Sequence, residues 1–179
     1  MVDEKFVSDI NIRLGTIAAI NSFVNQDKTY YIALLRKEEN DIAKTLRKHF
    51  NVQSWTFSME EITTEWKILM KDELLWYFGH YILEAKRPHL SAEYEGKTYD
   101  EFSEINKKII LQSRTNCAHI LDTFLLDIEQ IIGEHFSFNK LKVHWSTGEG
   151  CEQWYECFEN DYLFDLGEEI LFIHFGESD

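Results

Sequence analysis

The chain has 179 residues, of which 44% are hydrophobic and 15% aromatic, with one proline and eight glycines; this is the usage of a single globular domain, and it excludes a disordered or collagen-like chain. The formal net charge is −14, which disfavours direct contact with nucleic acid or an anionic membrane and favours basic partners. The three cysteines, Cys117, Cys151 and Cys157, have no paired spacing. No basic and apolar leader opens the chain, and the longest near-continuous apolar stretch, residues 74–83, falls short of the roughly 20 residues of a membrane span. These features predict a cytoplasmic protein in a reducing compartment, without a disulfide scaffold or transmembrane segment.

From the amino terminus, Phe6, Ile10, Leu14, Ile17, Ile20 and Val24 recur every three or four residues and predict a first amphipathic helix. The run from Tyr30 to Leu35 is short and apolar, and suits a buried strand or the start of a helix equally. Ile42, Leu46 and Phe50 stand at four-residue steps and predict a short helix with its lysines outward. Residues 52–57 alternate as a half-buried strand does. Ser58 with Glu61 makes a capping box that would start a long helix running to about Ala85. Lys86-Arg87-Pro88 ends that helix, since proline disfavours helical geometry in the residue before it. Thr98 with Glu101 makes a second box, opening a long helix from Tyr99 to Phe136, with a kink expected at Ser113-Arg114-Thr115-Asn116.

After residue 140 the period changes to two. Leu141, Val143 and Trp145 alternate with Lys142, His144 and Ser146. Three further strands are predicted at residues 153–158, 162–166 and 170–175, joined at Asn160-Asp161 and Gly167-Glu168-Glu169. The expected fold is α+β in one domain of residues 1–179. Its helical amino-terminal and central part, with two long helices, packs on one face of a carboxyl-terminal antiparallel sheet.

Charge is concentrated in that sheet. Residues 143–179 hold ten acids and no Lys or Arg, while the residues before them hold 22 acids against all 18 bases. On a strand, residues two apart lie roughly 6.6 Å apart on one face, the same order as successive phosphates of a nucleic acid. An outward row of Glu149, Glu152, Glu156, Glu159, Asp161, Asp165, Glu168 and Glu169, with Trp154 as an aromatic anchor, would then fit a basic groove. The sequence predicts a small, acidic, non-enzymatic binding protein that occludes the basic site of a partner such as a toxin or nuclease. In charge, size and lack of a catalytic signature it is similar to toxin-immunity proteins and phage-encoded inhibitors that mimic nucleic acid.

No phosphate-binding loop, nucleophile elbow or paired metal-binding motif occurs. His144, Cys151, Cys157 and His174 match no zinc-knuckle spacing, so core cysteines and surface histidines are expected, with neither metal nor cofactor. One element suggests an enzyme. Arg114 and His119, in Arg114-Thr115-Asn116-Cys117-Ala118-His119, resemble the R-x4-H element of the HEPN ribonucleases, all-helical proteins in which such residues from paired subunits surround the scissile phosphate. The resemblance covers six residues, and Thr115 stands where that family usually has Asn, Asp or His. It implies RNA cleavage, with Arg114 stabilising developing negative charge and His119 transferring a proton. A subunit of a larger assembly is the third reading.

Overall fold

The structure is a computed structural model that describes residues 4–22, 27–62, 65–75, 77–78, 99–144 and 158–178. In chain order its elements are α1 (Glu4–Asn21), β1 (Asp27–Arg36), α2 (Ile42–Phe50), β2 (Thr56–Glu61), α3 (residues 66–75 and 77–78), α4 (Tyr99–Ile132), β3 (Ser137–His144), β4 (Phe158–Asp165) and β5 (Glu169–Ser178). The fold is α+β. The five strands form one antiparallel sheet in the order β1-β5-β4-β3-β2, so the carboxyl-terminal strands are central and two strands from the amino-terminal half flank them.

This order decides what happens to side chains in β4 and β5. Along β5, Leu171, Ile173 and Phe175 point into a core shared with Ile10 and Leu14 of α1, Met70 and Leu74 of α3, and Leu121, Phe124 and Ile128 of α4. The alternate residues Ile170 and Phe172 enter a second core with Leu46 of α2, Val52, Trp55, Leu141 and Leu163. One-sided packing, as the periodicity suggests, is therefore not what forms. Helices α1, α3 and α4 cover one face, while α2 and the segment after it cover much of the other.

Local chemistry explains most boundaries. The Asp41 side chain accepts from the Lys44 amide at 3.0 Å and caps α2, and Asn51 closes it in the left-handed conformation at φ 56°. The run at residues 30–35 resolves as β1, paired along its whole length with β5. Asn11 of α1 lies against this strand. Its side-chain amide donates to Ile32 O at 2.8 Å and its Oδ1 accepts from Ile32 N at 2.7 Å, a pairing that occupies the outer edge of the sheet.

Four local expectations fail. The strand expected at residues 52–57 forms at Thr56–Glu61, because Val52 and Trp55 pack into the second core from the loop that precedes it. Ser58 and Glu61 consequently lie in β2 rather than in a capping box. Asn160-Asp161 is not a turn but the interior of β4, whereas the turn at Gly167, with φ 92°, is where the sequence places it. Helix α4 runs without a break through residues 113–116. Thr98, residues 79–88 and residues 153–157 of the strand expected at 153–158 lie outside the described residues, and Phe158 opens β4.

Candidate functional site

The acids of the carboxyl-terminal strands do not form an outward row. Asp161 of β4 stands opposite His174 of β5 in the ladder, and its Oδ1 meets His174 Nδ1 at 2.8 Å with both residues buried, at 1% and 3% exposure. Glu177 of β5 stands opposite Lys28 of β1, and the two join at 2.7 Å with side chains 7% and 0% exposed. Asp165 accepts from Lys37 Nζ through both oxygens, at 2.7 and 2.8 Å, and from the Gly167 amide at 2.9 Å. A carboxylate on a strand covered on both faces must be matched in place or it would forfeit its hydration.

Of the residues expected to bind a partner, Glu159 and Glu168 are exposed and Glu169 is partly exposed, at opposite ends of the β4–β5 hairpin. Asp161 and Asp165 are committed internally. Glu149, Glu152, Trp154 and Glu156 lie outside the described residues. The strand portion of the anionic ledge is thus corrected at Asp161 and Asp165, whose carboxylates face histidine and lysine rather than water.

Strand order brings together a group that periodicity does not reveal. Tyr31, His174 and Asp161 form one row across β1, β5 and β4, and His49 of α2 sits above it. The Tyr31 ring centroid is 5.1 Å from that of His174 and 6.0 Å from that of His49, and Tyr31 Oη lies 3.4 Å from His49 Nε2. Burial against these rings, reinforced by the neighbouring His174, holds the His49 imidazole below its usual range. Asp161 fixes the orientation of the His174 ring as a carboxylate does in an acid–base pair. His174, expected on the surface, is in the interior. Its clue in the sequence was its place among Ile170, Leu171, Phe172, Ile173 and Phe175, where a polar residue needs a partner.

The other face carries a second polar group beneath α3. Tyr162 Oη donates to Glu73 Oε2 at 2.6 Å, and Lys140 Nζ meets Glu73 Oε1 at 2.7 Å. Asn160 Nδ2 donates to Tyr77 Oη at 3.2 Å, and Asn21 Nδ2 donates to the Tyr77 carbonyl at 2.6 Å. Burial pushes the Tyr77 phenol up to about 12. It raises those of Tyr30 and Tyr162 further, Tyr162 also through its bond to the Glu73 carboxylate.

His119 is exposed on α4 and lines a cavity of about 180 Å³ between α1 and α4, among Ile10, Leu14, Ile120 and Phe124. At its edge Arg13 Nη2 approaches Asp127 Oδ2 at 2.6 Å. The side chain of Arg114 lies outside the described residues, but its backbone does not: five residues of unbroken helix rotate it about 140° from His119.

Among the described residues, no group of three or more His, Cys, Asp or Glu is placed to hold a metal ion. Cys117 is buried in the helical core, and burial pushes its thiol up. No helix of the described residues is long and apolar enough to cross a membrane. The chain matches no known family model, no curated protein and no solved structure.

Proposed function

We propose that the chain is a non-enzymatic acidic binding protein that engages a basic protein partner. The observation that carries this reading is how its cations are used. Arg13, Lys28, Lys37, Lys44, Lys48, Lys67, Lys71 and Lys140 each hold a carboxylate within ion-pair distance. Acids such as Glu60, Glu61, Glu65, Asp72, Glu134 and Glu168 meanwhile stand exposed. With these eight cations paired within the chain, the field that an approaching molecule meets is dominated by the surplus acids. Such a field steers basic partners and accelerates encounter, and apolar contacts then set the lifetime of the complex. A toxin or nuclease with a basic site is the partner class that this chemistry suits.

The test is affinity capture by the full chain from its native cells, followed by reconstitution with the purified captured protein. A stoichiometric basic partner whose association rate falls about tenfold or more between low and physiological salt is the expected result. Recovery of only neutral or acidic proteins, or an association rate indifferent to salt, overturns the reading. A specific RNA-cleaving activity that disappears in His119→Ala would replace it with the nuclease alternative.

A further inference from the structure

Helices α3 and α4 lie side by side with two ion pairs crossing between them. Lys67 Nζ is 2.5 Å from Glu129 Oε1, and Lys71 Nζ is 2.6 Å from Asp122 Oδ1. Both cations come from α3 and both carboxylates from α4, and all four side chains remain partly exposed. Between the pairs the surface is apolar. Ile68 is 59% exposed and Leu126 is 55% exposed, on either side of a groove of about 310 Å³ that Leu125 also lines. In the strip between the helices the pairing groups are divided, lysines on α3 and carboxylates on α4, with large apolar groups in the middle.

We propose that this face joins two copies of the chain in a two-fold symmetric dimer. The order of the ion pairs makes the face complementary to itself. Lys67 is level with Glu129 and Lys71 is level with Asp122, so a two-fold axis running between the helices and parallel to them carries α3 of one copy over α4 of the other without a shift. Lys67 then faces Glu129 of the second copy, Lys71 faces Asp122 of the second copy, and Ile68 meets Leu126 across the axis. Each contact occurs twice, as an isologous interface requires. A basic partner, which the rest of the surface favours, would be opposed here by Lys67 and Lys71, and an acidic one by Asp122 and Glu129. The second copy alternates in the matching sense.

Sedimentation equilibrium of the full chain from about 1 to about 200 µM tests it, a range set by the micromolar affinity of small interfaces. The wild type should follow a monomer–dimer equilibrium, and Leu126→Glu should weaken it about tenfold or more with an unchanged circular dichroism spectrum. If that variant does not fold, Ile68→Ser serves in its place. The decisive arm uses two charge variants. Lys67→Glu with Lys71→Glu makes both helices acidic, and Asp122→Lys with Glu129→Lys makes both basic. Each should be monomeric alone, and an equimolar mixture should restore a dimer with one chain of each kind, since only then does every contact across the axis join opposite charges. A wild type that stays monomeric throughout, a dimer insensitive to both apolar substitutions, or folded charge variants that do not combine would each overturn the proposal.

Discussion

Replacing Lys28 by methionine isolates a buried lysine–carboxylate pair. Its ammonium meets Glu177 at 2.7 Å, with side-chain exposures of 0% and 7%, between directly opposed residues of β1 and β5. Methionine keeps most of the aliphatic stem and removes the charge, so the dominant change is a carboxylate that has lost its counter-charge in a desolvated place. Breaking a buried pair from one side costs about 3 to about 5 kcal/mol. In a chain of this length each kcal/mol lowers Tm by about 2 to about 4 °C, which gives a fall of about 10 °C. Urea denaturation followed by tryptophan fluorescence and circular dichroism measures it, with the m-value expected to stay constant. The double variant Lys28→Met with Glu177→Leu should recover most of the loss, because an apolar pair of similar volume needs no mutual compensation. If Lys28→Met costs under about 1 kcal/mol, or the double variant is as unstable as the sum of the single ones, the two charges are not coupled and the internal account of these acids fails.

Three further outcomes follow from the packing and the caps. Tyr77, pushed by burial from the usual 10.0 of a phenol up to about 12, favours its neutral form in the fold; the stability this contributes is complete below about pH 10 and is lost as pH rises through about 12. Ionisation of the buried tyrosines, read by tyrosinate absorbance, should therefore coincide with alkaline unfolding, and their independent titration near pH 10 in an intact fold would contradict the described burial. Asp41→Ala should cost about 1 kcal/mol by removing the cap of α2, and Asp41→Asn should cost much less, both measured by urea titration. Phe172→Ala should cost about 3 to about 5 kcal/mol in the same assay, since the ring is fully buried beside Phe50, Tyr31 and Leu46.

What the sequence reveals depends on whether the informative partner is near in the chain. The stripe of α1, the four-residue steps of α2 and the turn at Gly167 are local, and they read directly. β1 is ambiguous because residues on both its faces are covered, which replaces alternation with a plain apolar run. Ser58 and Glu61 imitate a helix cap because three-residue spacing says nothing about which backbone it sits on; pairing with β3 decides. Asn160-Asp161 imitates a turn because a central strand ordinarily excludes such residues. It admits them here since Asp161 finds His174 and Asn160 finds Tyr77. Those partners lie 13 and 83 residues away, beyond any window in which periodicity is read. The same distance hides the grouping of Tyr31, His49 and His174.

The internal acids also specify which strand meets which. β1 and β5 pair over ten residues, from Asp27 opposite Ser178 to Arg36 opposite Glu169. Near one end of this ladder Lys28 holds Glu177, and just past the other Lys37 holds Asp165 while its amide donates to Glu168 O at 2.9 Å. A slip of one residue would turn Lys28 to the opposite face and leave Glu177 opposite Asp27 or Thr29, neither of which can replace the lysine. Such a slip also exchanges every side chain between the two cores, so the charges and the apolar pattern enforce the same register. The lysines of the amino-terminal half and the acids of the carboxyl-terminal strands are therefore two parts of one matching code. The carboxylates of Glu177 and Asp165 are thereby engaged within the fold, as parts of its register.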